Sequence, residues 1–283
     1  MMRRLFKYLI MIEFLFLVGC SNIPGLPSKI ANPSATLQEG KTQESDIIMV
    51  FAASSLSQPF IEIGKLFEDE HPGVVVNFNF QNANDLALQI GQGAPADVFA
   101  SAAEKFMTNA ISSGRINKQD SQLFARNKLT VIIPKNNPAA IKNLQDLSKP
   151  GILIVMGAKE GPQGVYVEEF LSNAAKDPGF PPDYKEKVYK NIVSYESTVN
   201  GVVTKVSLGE ADAGFVFYSD SQGSAREKVE TLEIPVELNV EANYPIAPLN
   251  DSTKANQVES FIKFVLSQDG LKVLSKFGFI PPK

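Results

Sequence analysis

Five short loops hold the groups best placed to do chemistry. Ser54-Ser55 follows a continuous apolar run. Gln81-Asn82-Ala83-Asn84, Gly161-Pro162-Gln163-Gly164 and Glu196-Ser197-Thr198-Val199 each lie between a strand-like and a helix-like segment, and Phe217-Tyr218-Ser219-Asp220 follows another strand-like one. Where a strand turns into a helix, the first N–H groups of the helix have no partner within it and carry partial positive charge. Joined by a hydroxyl or an amide, such groups can hold an oxyanion with neutral donors. The competing reading of Ser54 or Ser55 is an ordinary helix cap. Several such turns around one cleft would select an anion by size and protonation, because an ion without hydrogens accepts from every donor.

Other chemistries find few residues to use. The one histidine, His71, sits in Glu68-Asp69-Glu70-His71-Pro72-Gly73, which reads as a solvated helix end, and no Gly-x-Ser-x-Gly turn accompanies it. One histidine and one cysteine do not make a transition-metal site. No calcium loop, P-loop or Gly-x-Gly-x-x-Gly turn follows any strand, and Gly91-Gln92-Gly93-Ala94-Pro95 reads as a helix stop. No catalytic residue, cation site or cofactor is therefore expected, and the chain is not read as an enzyme.

The elements that must position these loops alternate. Strands are expected at 47–53, 74–78, 97–100, 129–133, 152–156, 192–195 and 213–217, those at 47–53 and 97–100 buried. Between them come a helix with Phe60, Ile63 and Phe67 on one stripe, then helices over 85–90, 102–111, 164–174 and 199–208, with two more at 258–266 and 271–277. This alternation implies parallel βαβ units, whose ligands sit beyond the carboxyl ends of the strands. The 283 residues suffice for two lobes with separate cores.

The start of the chain reads as an export signal. Arg3, Arg4 and Lys7 precede a short apolar stretch, Tyr8 to Val18, interrupted by Glu13. It ends in Leu17-Val18-Gly19-Cys20-Ser21, which resembles a bacterial lipobox with Cys20 as the lipidated residue. Removing residues 1–19 leaves 24 basic and 30 acidic residues, a net charge of −6, which argues against nucleic-acid binding. Residues 20–45, with Pro24, Pro27 and Pro33, read as a flexible tether reaching roughly 25–30 Å.

Several segments resemble one family. Val50-Phe51-Ala52-Ala53-Ser54-Ser55-Leu56 is similar to the first ligand loop of the periplasmic molybdate-binding proteins of ABC importers. Gln92-Gly93-Ala94-Pro95-Ala96-Asp97-Val98-Phe99-Ala100-Ser101-Ala102 is similar to that family's most recognisable stretch, and Gly209 to Gly214, Tyr244-Pro245-Ile246 and Phe277-Gly278-Phe279 agree in order. The resemblance implies an α/β, two-lobed, type II periplasmic-binding-protein fold, each lobe a mostly parallel sheet flanked by helices, with the ligand cleft between lobes. Lobe 1 is expected at 46–131 plus 245–283 and lobe 2 at 132–244.

The resemblance also implies a ligand, molybdate or tungstate, and a membrane permease and cytoplasmic ATPase as partners of a monomer. That monomer would be held by its lipid at the outer face of the cell membrane or in the periplasm. The family's first serine falls on Ser55, beside Ser54. Its second serine falls on Ala83, leaving Asn82 or Asn84 to replace the hydroxyl. Its backbone donors fall on Gln163 and Val199, and its tyrosine on Phe217, with Tyr218 one position late. An alternative is the same receptor fold carrying a different oxyanion or a small organic solute, and a third reading is a surface enzyme or sensor domain.

Overall fold

The computed structural model describes residues 46–282. The expected export signal, Cys20 and the 20–45 segment lie outside the described residues.

The first apolar run forms β1 (Asp46–Ala53), with Ile48 and every residue from Val50 to Ala53 buried. It pairs in parallel with β2 (Val74–Gln81) on one side and β3 (Val98–Ala100) on the other. Between β1 and β2 runs α1 (Ser57–Glu70), whose Pro59 lies in the first turn, where a missing N–H costs nothing. Its stripe of Phe60, Ile63 and Phe67 is fully buried, each side chain contributing about 2–3 kcal/mol of burial. Phe67 meets Phe261 edge to face at 5.3 Å. His71 closes the helix: its ring stacks on Phe67 at 4.0 Å and Nδ1 lies 2.9 Å from the Phe67 carbonyl. Two further helices, α2 (Ala83–Gly91) and α3 (Glu104–Ser112), flank β3 in sequence.

The strand expected at 129–133 is much longer. β4 (Gln122–Pro134) pairs over its first half with β9 (Glu241–Pro248), then from Leu129 onward with β7 (Ala213–Phe217) and β8 (Val229–Glu233). Its first half escaped the apolar pattern because it carries Arg126, Asn127 and Lys128. β9 escaped because Pro245 and Pro248 argue against a strand. Pro245 faces Leu123, where the β4–β9 register shifts, so the missing N–H falls at an irregularity.

The remaining elements are β5 (Ile154–Gly157), α4 (Pro162–Ala174), α5 (Tyr184–Asn191), β6 (Ile192–Glu196), α6 (Val199–Ser207), α7 (Ala255–Val265) and α8 (Gln268–Lys276). The strand order is β2-β1-β3-β9-β4-β7-β5-β6, with β8 also on β4. Every antiparallel pair among the described residues involves β4 or β9, the two strands shared across the sheet; the rest are parallel. One core packs around β1 and α1, and two smaller cores cover the faces of the β5–β7 side.

The family-like stretch around Asp97 serves this frame. Asp97 accepts from the Met49 N–H at 2.8 Å, Ser252 Oγ at 2.7 Å and Lys254 Nζ at 3.0 Å. Burial pushes its carboxyl up, but those three donors outweigh burial and hold it below the ordinary carboxylate value.

Candidate functional site

Four of the five loops meet at one cavity, and the fifth closes it. Its walls include Ser54 and Ser55 after β1, Asn82 and Ala83 at the start of α2, Pro162 and Gln163 at the start of α4, Thr198 and Val199 at the start of α6, and Phe217 at the end of β7. Among the described residues no charged side chain lines it. Measured as room for the centre of a water-sized sphere, it is about 20 Å³. A cavity of that size suits a compact solute.

Each helix start offers backbone donors for a local reason. Ala83 and Val199 are the first residues of α2 and α6, and Gln163 is the second of α4, behind Pro162. Their N–H groups precede the first intrahelical acceptor and point out along the helix axis. Ser54 and Ser55 lie in a 3-10 turn (Ser54–Leu56) ahead of α1, and neither the turn nor α1 has a side-chain cap. The serine hydroxyls are thus not spent on capping, which removes the competing reading of these residues.

The expected side-chain donors distribute differently. Asn82 caps α2: its Oδ1 accepts from the Asn84 N–H at 2.9 Å, while its Nδ2 reaches the Ser197 carbonyl at 3.4 Å. Asn84 is therefore tied into the first turn and is not a wall of the cavity. The Gln163 side chain is also committed, its oxygen to the Gly157 N–H and its nitrogen to the Phe215 carbonyl, leaving only its backbone for a ligand. β7 does end at Phe217, as a substitution by Tyr218 would require, but the Tyr218 ring lies under Lys128 Nζ at 4.8 Å and does not line the cavity. Phe217 and Ala83 leave two apolar walls where the resemblance implies hydroxyls.

Three polar residues near the site had no assigned function in the sequence: Thr198 stood in one of the five loops, Tyr244 in a family-like segment, and Asn127 in neither. Thr198 caps α6 without a side-chain bond and lines the cavity. Tyr244 on β9 brings its hydroxyl to 3.2 Å from Ser55 Oγ, and Asn127 on β4 reaches Tyr244 at 3.4 Å and Ser219 Oγ at 2.8 Å. The hint for Thr198 was its place just before Val199; nothing in the pattern singled out Tyr244 or Asn127 as polar partners of Ser55. Behind Phe217, Asp220 accepts from the Phe217 N–H at 3.0 Å. Burial pushes this carboxyl from 3.8 to about 8, against the opposing effect of that hydrogen bond. The arrangement can bind and orient an anion through neutral donors.

The description "bacterial extracellular solute-binding protein" matches residues 48–280. Molybdate-binding protein ModA of Mycobacterium tuberculosis is 33% identical over 266 residues, covering 94% of this chain and 97% of that protein. Among solved structures, the periplasmic molybdate-binding protein of Azotobacter vinelandii superposes with a TM-score of 0.72 at 19% identity, covering 83% of this chain and 100% of its own. The sulfate-binding protein SubI of M. tuberculosis does so with a TM-score of 0.75 at 16% identity, covering 83% and 87%. At those identities the two structures speak for the fold, that of type II periplasmic binding proteins. The chain belongs to the bacterial extracellular solute-binding protein family and is a ModA-like member of it.

Proposed function

We propose that this solute-binding protein is the extracytoplasmic receptor of an ABC importer and that its ligand is a tetrahedral oxyanion, molybdate or tungstate. One observation carries the reading: four helix starts converge on a compact cavity that, among the described residues, has no charged wall. An ion without protons accepts from each of those donors, whereas a protonated ion meets N–H groups with its own O–H. Support comes from a relative named for molybdate binding, 33% identical over nearly its whole length.

In this reading binding is reversible, uses no cofactor and involves no covalent step. Two bodies, 46–131 plus 245–283 and 132–244, close on the ion and hand it to a membrane permease driven by a cytoplasmic ATPase. Lipid on Cys20 holds the monomer at the outer face of the cell membrane or in the periplasm.

Ala83 and Phe217 favour a second reading, the same receptor tuned to a different oxyanion or a small organic solute, because each removes a hydroxyl from the wall. Calorimetric titration with molybdate and tungstate, with sulfate and phosphate as competitors, separates the two. Binding of neither metal oxyanion would favour the second.

A further inference from the structure

The Ser55 hydroxyl is held by a hydrogen-bond chain whose direction the surrounding groups determine. Asn127 Oδ1 accepts from two backbone N–H groups, Lys128 at 3.0 Å and Ser219 at 3.4 Å. Its Nδ2 must then face the two hydroxyls, Ser219 at 2.8 Å and Tyr244 at 3.4 Å. The Tyr244 oxygen receives that N–H, so its own proton goes elsewhere. Ser55 Oγ, at 3.2 Å, is the one other partner its hydroxyl has among the described residues. Were Ser55 to donate instead, the Tyr244 proton would be buried without an acceptor, a costly arrangement. Tyr244 is fully buried, and burial first, then the nearby Asp220, keeps it in the protonated, donating form. With Ser55 Oγ accepting from Tyr244, the Ser55 proton is free for another acceptor, and Ser55 lines the anion cavity as well as a larger neighbouring one that Ser219 and Asp220 also line.

We propose that Tyr244, oriented by Asn127, is a positioning and specificity residue that sets Ser55 as a donor toward the anion and so favours fully deprotonated ions over protonated ones. This rests on the oxyanion reading above. The two shared strands thereby do more than join the sides of the sheet. β4 supplies Asn127 and β9 supplies Tyr244, so both strands also orient the first ligand loop. Tyr244 is not a wall of the cavity; Phe217 packs edge to face against its ring at 5.8 Å.

The test is a double-mutant cycle with Tyr244→Phe and Ser55→Ala, read by calorimetric titration with molybdate and with phosphate at neutral pH. Tyr244→Phe keeps the ring contacts with Phe124, Phe217 and Phe279 and removes only the hydroxyl. We expect it to weaken molybdate binding about 3- to 10-fold and to narrow the molybdate-to-phosphate preference, with no further weakening when Ser55 is already alanine. An equal loss in both backgrounds, or no loss in either, overturns the proposal. Wild-type protein that binds no oxyanion overturns the oxyanion reading itself, before any variant is compared. Thermal unfolding of each variant separates loss of fold, which moves both ligands together, from loss of donor direction, which moves their ratio.

Discussion

Asn82 and Gly161 meet face to face across the cleft: the Asn82 amide fills the space that a β-carbon on Gly161 would need. Asn82 belongs to the start of α2 and Gly161 to the start of α4, which follow β2 and β5, strands in opposite halves of the sheet order. Gly161 has φ −81° and ψ 173°, a conformation open to any residue, so glycine is required by the approach and not by the backbone.

Gly161→Ala should therefore oppose closure without disturbing either side. The expected result is oxyanion affinity lowered about tenfold or more, with a free-protein melting point within a few degrees of wild type. Titration calorimetry alongside thermal unfolding checks both. Unchanged affinity would mean that the closed contact is not needed for binding.

The apolar walls give a second expectation. Ala83→Ser and Phe217→Tyr each return a hydroxyl to the cavity, where a hydrogen bond to a charged acceptor is worth about 1.5–3 kcal/mol. Either substitution should tighten molybdate binding by roughly 10-fold or more if its hydroxyl reaches the ion. Weaker binding from both would show that the site is built around smaller donors and a different ligand.

Asp220 gives a pH dependence with a definite sign. Its folded carboxyl titrates at about 8 and its unfolded one at 3.8, so between those values the folded state holds a proton that the unfolded state has lost. The stability this proton contributes is fully present below about pH 4 and is lost as pH rises to about 8, at up to about 1.4 kcal/mol per pH unit. Asp220→Asn keeps an acceptor for the Phe217 N–H and removes the titration. Urea unfolding from pH 5 to 8 should show a shallower decline for Asn than for Asp. Parallel curves would mean that Asp220 is ionised in the folded protein.

Lipidation is tested at one atom. Cys20→Ser removes the only thiol in the chain, so the protein should move from the membrane fraction to the soluble extracytoplasmic fraction. Continued membrane association would point to a retained apolar leader.

Much of the frame could be read from the chain because its core is written as unbroken apolar runs. The run from Ile47 to Ala53 became a strand buried from Val50 onward, Ala213 to Phe217 a buried strand, and the Phe60–Ile63–Phe67 stripe a buried helix face. β9 and the first half of β4 were missed because prolines and polar residues break the period there, although both are held by long-range pairing. α5 was missed because only Tyr184 and Val188 are buried on it, too few to make a periodic signal. At the site, the strand-to-helix turns gave the positions of Ser55, Gln163 and Val199. Where a side chain points was not legible: Asn82 is spent on a cap and a contact across the cleft, Gln163 on Gly157 and Phe215, and Tyr218 on Lys128. The Tyr244–Ser55 bond joins residues 189 apart in sequence, beyond the reach of any local pattern.

The most direct test of the receptor reading is calorimetric titration of the purified protein with molybdate at neutral pH, repeated in excess sulfate. Tight one-to-one binding that survives the sulfate is the expected result. No heat with molybdate or tungstate, in protein that unfolds cooperatively, would contradict it and leave the family fold serving another solute.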